Sequence, residues 1–188
     1  NRAIGELEKA VSLEPRCAIH FAELDELYEQ AGIPIEKRLP LFEKNQDVVA
    51  QRDDAQNRAI ALKVAAGKYD EAIKMMTGRK FAVAEGANLN VSDQWTNTHI
   101  LRAQQNIAAR RYQEALLDLQ TAVTLPDNLP SRGSAGARNA EVAYLTGLAY
   151  EGLGDHAKAT ESWNQAIISA QLGVRQRGGP ASGSQSYY

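Results

Sequence analysis

Gly147-Leu-Ala-Tyr150-Glu-Gly-Leu-Gly154-Asp155-His-Ala-Lys-Ala159-Thr-Glu-Ser-Trp163-Asn-Gln-Ala166 reads as two helices joined at a glycine turn. Small residues at Gly147, Ala159 and Ala166 let two helix backbones approach, while Tyr150 and Trp163 are large enough to fill the space beside them. Gly154 falls between the helices, where a left-handed residue after a helix C-terminus is easiest for glycine.

Working back along the chain, the second half of this phrase recurs. Tyr112-Gln-Glu-Ala115-Leu-Leu-Asp-Leu119-Gln-Thr-Ala122 is one copy and Tyr69-Asp-Glu-Ala72-Ile-Lys-Met-Met76 another. At the start, Ala3-Ile4, Leu7, Ala10 and Leu13 fall three and four apart, one helical face, and Pro15 ends it. A degenerate copy at Ile35-Glu-Lys37 puts Leu41 in the large apolar place. Successive copies lie 34 residues apart from Ala3 to Lys37 and 35 from Lys37 to Ala72. The spacing then stretches to 43 from Ala72 to Ala115 and 44 from Ala115 to Ala159. The periodicity predicts nine or ten helices and no sheet. The helices pair as 18–31 with 35–50, 53–66 with 70–77, 92–109 with 112–124, and 139–153 with 156–171.

These residues resemble the tetratricopeptide repeat, a helical hairpin unit of about 34 residues. The resemblance covers residues 3–172, and the final unit matches best, at Gly147, Tyr150, Gly154-Asp155, Ala159, Trp163 and Ala166. It implies an all-α fold, a right-handed α-solenoid whose first helices line a concave face. On that face it places Asp54, Asn57 and Ala61, then Asn97, Ile100 and Gln104, then Glu141, Tyr144, Leu148 and Glu151. Tetratricopeptide domains that clasp a peptide C-terminus hold its carboxylate with a Lys, Asn, Asn, Lys and Arg set. Asn57, Ala61, Asn97 and Leu101 stand there instead, so that clamp is not expected. The resemblance also implies Ala159 and Ala166 at close helix contacts, with Trp163 packed between hairpins.

The two long connections, 77–91 and 125–138, carry a second resemblance. Phe81, Glu85 and Gly86, with Pro126, Asn128 and Leu129, are similar to phrases in large bacterial proteins of the DUF5107 group. Those proteins carry a sugar-enzyme-like β-sandwich upstream of such repeats. Ala82 and Ala84 depart from the polar and aromatic residues expected there. Phe81 and Val83 alternate as apolar positions, and a ring as large as Phe81 is expected to pack onto neighbouring hairpins.

Composition narrows function. Hydrophobic residues make 44% and charged residues 23%, an ordinary globular mixture. The formal charge of −2 argues against a nucleic-acid partner, which needs a Lys/Arg excess, and against helical repeats that read RNA. No run approaches the roughly 20 apolar residues of a membrane span, and no signal-peptide pattern is present. A cytoplasmic location is expected; the first residue is not Met and the opening reads as mid-helix, so a piece of a longer protein is expected. Residues 173–188, rich in Gly and Ser, read as a flexible tail.

No string completes a catalytic site. Gly152-Leu-Gly154-Asp-His-Ala157 follows a helix where a dinucleotide site needs a strand. Gly133-Ser134-Ala135-Gly136 is not a nucleophile elbow. His20, His99 and His156 lie 79 and 57 residues apart, with no pair spaced to grip zinc, and the lone Cys17 reads as a small core residue. Glu23, Glu26 and Glu29 read as a solvated helical face, and so do Asp53-Asp54. Arg79-Lys80 and Arg110-Arg111 read as solvated turn pairs. No catalytic, cofactor or metal residues are therefore assigned, and the chain is expected not to be an enzyme. The expected role is a protein–protein interaction scaffold. Its partner would be a protein or peptide, an upstream domain of the same chain, or a second copy, with no nucleic acid and no membrane. The alternative is the C-terminal helical scaffold of a carbohydrate-active protein whose catalytic domain lies upstream.

Overall fold

The computed structural model describes residues 2–82, 90–130 and 138–177, with side chains to 172. Ten helices are present among the described residues, and no strand. They are α1 (Arg2–Leu13), α2 (Ala18–Gln30), α3 (Ile35–Lys44), α4 (Gln46–Val49) and α5 (Asp53–Ala65). There follow α6 (Tyr69–Thr77), α7 (Val91–Ala108), α8 (Tyr112–Ala122), α9 (Asn139–Gly152) and α10 (His156–Arg177). The chain forms two compact units: Asn1–His99 with Leu125–Arg132, and Ile100–Thr124 with Gly133–Tyr188.

One turn is used four times. At Gly32, Gly67, Arg110 and Gly154 the backbone is left-handed, with φ of 68°, 73°, 59° and 79°. The residue after each donates its N–H five residues back: Ile33 to Tyr28 O (2.8 Å), Lys68 to Lys63 O (2.9 Å), Arg111 to Asn106 O (2.8 Å), Asp155 to Tyr150 O (3.0 Å). This is the Schellman arrangement, which satisfies the last carbonyls of a helix and reverses the chain into the next. Arg110 is the exception in sequence but not in shape.

In the first unit Phe21 and Phe42 meet edge to face at 6.3 Å, surrounded by Leu39, Val48, Val49, Ala59 and Leu62. The helix expected over 35–50 is broken into α3 and α4 at Asn45, whose φ of −120° is not helical. The Asn45 Nδ2 donates to Leu41 O (2.7 Å), offering that carbonyl a side-chain donor in place of the next helical turn. The break lets α4 turn Val48 and Val49 into the core.

The connection after α6 is closed by the later one. Asn128 Nδ2 donates to Met76 O (2.8 Å) and Arg79 O (2.7 Å), and Phe81 N–H donates to Asn128 O (3.3 Å). Phe81 is 4% exposed, as expected, with the Arg79 guanidinium 5.3 Å from its ring centre, and Leu129 is buried. Asp53 accepts from Arg79 Nη2 and from Ala82 N–H (2.8 Å), so it is a tether rather than a solvated carboxylate. Val83, Ala84, Glu85 and Gly86 lie outside the described residues, as do the Gly133–Gly136 string and the tail from 178. The last helix runs on to Arg177, beyond the expected end at 171.

In the second unit Ile100, Ala103, Ala115, Leu119, Val142, Leu145 and Ala149 form the core. Ala159 is fully buried, whereas Ala166 is only half-buried. Trp163 was expected between hairpins; it packs inside its own, over Gly147, where a Cβ would stand 2.2 Å from the indole Nε1. Gly152 makes room in the same way for the Tyr112 ring, 2.3 Å from where its Cβ would be.

Candidate functional site

The expected groove residues separate on burial. Asn57 (6% exposed) and Ile100 (0%) belong to cores, which corrects their place on a binding face. Ile100 packs with Ala103 and Leu119, and Asn57 sits on the buried run of α5, its main-chain carbonyl accepting from Gln94 Nε2 (3.2 Å). Asp54 is held by Arg52 (2.8 Å) and accepts from the Ala55 N–H (2.7 Å). The Arg52 hydrogen bond keeps its carboxyl below the usual range. Asn97 and Leu148 are half-buried, Leu148 against the second core. Glu151 Oε2 accepts from His156 Nδ1 at 2.8 Å, and that hydrogen bond raises the imidazole pKa above its ordinary value. Gln104 is exposed, and Tyr144 stands 52% exposed on α9. Asp54, Asn57 and Asn97 belong to the first unit and the other five to the second.

Exposed apolar side chains concentrate in the second unit. Tyr144, Leu117, Val123, Leu153, Ile167, Ile168 and Leu172 are all large and exposed, and all lie on or beside α8, α9 and α10. Among the described residues the one other exposed large apolar side chain is Leu13. A cleft of about 500 Å³ opens beside them, lined by Val123, Asn139, Ala143, Thr146, Gln165 and Ser169 with their neighbours. The sequence reading missed Ile167, Ile168 and Leu172 as surface. Ile167-Ile168 and Leu172 fit the helical period as well as any core row does.

The first unit turns its polar chemistry inward. Asp25, 1% exposed, accepts from Arg38 Nε (2.8 Å) and Nη2 (3.0 Å) and from Arg58 Nη1 (3.1 Å). Glu29 and Glu26 also approach these guanidinium groups, at 3.3 and 3.4 Å from Arg58, so this acidic row is only partly a solvated face. The Asp25 hydrogen bond raises the Arg38 pKa above its ordinary value. Lys63, equally buried, reaches Glu43 (3.2 Å) and Glu71 (2.5 Å), and Lys68 also reaches Glu43 (2.6 Å). In the second unit Asp118 accepts from Arg102 Nη2 (2.6 Å) and Asn106 Nδ2 (3.0 Å). Each buried acid is thus held by fixed donors, Asp25 by two guanidinium groups and Asp118 by one guanidinium and a carboxamide, the arrangement of a structural ion pair rather than of a general base.

Repeated hairpins, one Schellman turn used four times and small-against-large packing define a tetratricopeptide-like helical repeat. The crystal structure of MamA, a helical protein of that type, is similar in fold: TM-score 0.62 over 92% of this chain and 90% of that one, at 14% identity. No protein-family model matches the chain. Among the described residues no helix is long and apolar enough to cross a membrane.

Proposed function

We propose that the chain is a protein–protein interaction scaffold of tetratricopeptide type, with the right-handed winding that the resemblance implies, and that it catalyses nothing itself. One observation carries this reading: the gathering of Tyr144, Ile167, Ile168 and Leu172 with their neighbours on exposed helix faces of the second unit. Large apolar side chains concentrated on the exposed helix faces of one unit are costly in water unless something covers them, and such concentrations mark binding faces. The partner assigned to it is a protein segment with an apolar face. The fold of MamA, which is of the same helical type, is in keeping with such a role. The test is capture of partners from the source cell with the whole protein, followed by affinity measurement on the purified partner with Tyr144→Ala and Ile168→Glu. Unchanged affinity in both variants would remove this surface from consideration. Sedimentation of the protein alone separates a second copy from a foreign partner.

The alternative, a helical scaffold attached to an upstream carbohydrate-active domain, draws on Phe81, Asn128 and Leu129. The residues of that resemblance are the ones that close the connection after α6. The sequence of the intact protein decides it: without a β-rich domain upstream, this reading fails.

A further inference from the structure

The turn from α1 to α2 brings three different metal-binding side chains to one place. Glu14 follows the last residue of α1, Cys17 is the N-cap of α2, and His20 lies in its first turn. The backbone coils tightly through them: Cys17 N–H donates to Glu14 O (3.1 Å) and His20 N–H to Cys17 O (3.2 Å). One carboxylate oxygen, the thiol sulfur and one imidazole nitrogen all lie within 4.8 Å of one another, and no other such trio occurs among the described residues.

One further observation points to a ligand. The Nδ1 of His20 is buried with no hydrogen-bond partner, a state that calls for an explanation in a folded protein. Cys17 makes no side-chain capping bond, as is so at the N-caps of α3 to α6, so its thiol is not committed to the helix it begins.

We propose that Glu14, Cys17 and His20 form a site for a divalent transition-metal ion of zinc type, with water in the fourth position. A thiolate, an imidazole and a carboxylate are the mixed sulfur, nitrogen and oxygen set that suits zinc. In a tetrahedral zinc site, bonds of about 2.0–2.3 Å put donors about 3.3–3.7 Å apart. From separations of at most 4.8 Å the trio needs to close by no more than about 1.5 Å, and the Glu14 side chain, exposed at the end of α1, has room to move. On binding, the Cys17 thiol gives its proton to solvent and a zinc–sulfur bond forms; Glu14 binds as carboxylate and His20 as neutral imidazole. Arg52, whose charge feels Cys17, is already paired with Asp54 at 2.8 Å, so it does not stand as a bare cation against the metal. The consequence lies in α1, which has no buried residue of its own. A metal at its junction with α2 would staple it to the first unit.

Zinc ion alone, titrated into the whole chain against a chromophoric chelator, tests the site. One equivalent should bind, and Cys17→Ser and His20→Ala should each weaken it at least about ten-fold. Cobalt ion should give a thiolate charge-transfer band that Cys17→Ser abolishes. Serine is a preferred N-cap, so this variant should fold as well as the parent. His156→Ala, outside the site, should leave affinity unchanged, and zinc should slow amide exchange in α1. No saturable binding would overturn the proposal, and so would affinity as high as the parent's in Cys17→Ser and His20→Ala.

Discussion

The two compact units handle polar and apolar groups in opposite ways. The first buries an aspartate between two arginines and a lysine between glutamates, and leaves Leu13 as its one large exposed apolar side chain among the described residues. The second buries Asp118 against a partly exposed Arg102 and leaves a row of aliphatic side chains and Tyr144 in water. Buried ion networks add little net stability, because desolvation offsets attraction, but they punish any loss of a member. Exposed apolar surface does the reverse. It contributes nothing to the isolated unit and is available to a partner. Similar helical hairpins therefore yield one unit organised around internal specificity and another organised around its surface.

The largest test of that contrast is Asp25→Ala. It leaves Arg38 and Arg58, each only about 9% exposed at the side chain, with just the more exposed Glu26 and Glu29 beside them, and should cost about 3 kcal/mol of stability in urea unfolding. Asp118→Ala should cost less, about 1–3 kcal/mol, because Arg102 is 28% exposed and water can take its charge. Equal losses would break the distinction. Trp95 lies in the first unit and Trp163 in the second, so a Trp163→Phe background lets fluorescence follow the first alone.

Packing inside the second unit comes next. Gly147→Ala drives a methyl into the indole of Trp163 and should cost about 1–3 kcal/mol, as should Ala159→Leu. Intact stability in both would mean the α9–α10 register is wrong. Tyr144→Ala should weaken partner binding by about 2 kcal/mol with helical content unchanged, since exposed rigid aromatics dominate binding hot spots. Asn57→Ala, from a buried position, should lower stability and not affinity. A smaller gain is expected from Arg110→Gly: relief of a left-handed non-glycine residue should raise the melting stability of the chain by up to about 1 kcal/mol.

Titration gives the smallest signal. Contacts with Lys68 and Lys63 hold the Glu43 and Glu71 carboxyls below their ordinary 4.5. Carboxyls depressed in the folded state stabilise it above about pH 4.5, and that support is lost as pH falls through their folded values. Asp155 in the second unit, lowered by Lys158, behaves the same way. His156 differs. Raised above 6.5 by Glu151, it favours the fold below that pH, and the contribution disappears as pH rises through the raised value. Melting temperatures from pH 3 to 9 should fall at the acid end and dip slightly on the alkaline side, and His156→Gln should remove only the dip.

Most helices were legible because each carries an apolar row against small residues at fixed spacing. Their observed ends differ from the expected ones by a residue or two outside α3–α4 and α10. What escaped is set by contacts distant in sequence or by backbone geometry. Asn45 ends a helix by bonding its own preceding turn, which composition does not announce. Arg110 takes a conformation that its side chain disfavours, because the hairpin repeat demands it. Asp25 went unread among Glu23, Glu26 and Glu29, because its partner Arg58 lies 33 residues on. The concave-face assignment failed at Asn57 and Ile100, because α5 is buried on nearly every face and Ile100 fills the second core. Cys17 and His20 were each read as isolated, and only the turn between α1 and α2 brings them beside Glu14.

The Asn128 clasp has a bearing on how the protein is made. The carbonyls of Met76 and Arg79 receive their donor from a residue 52 and 49 positions later, after α7 and α8 have been synthesised. A nascent chain leaving the ribosome thus holds α6 with its end unsealed until the segment around 125–130 emerges. The first unit cannot be cut out as residues 1–99: such a truncation should be less cooperative in unfolding than the same segment within the whole chain. Supplying residues 125–132 as a separate peptide should restore part of the loss.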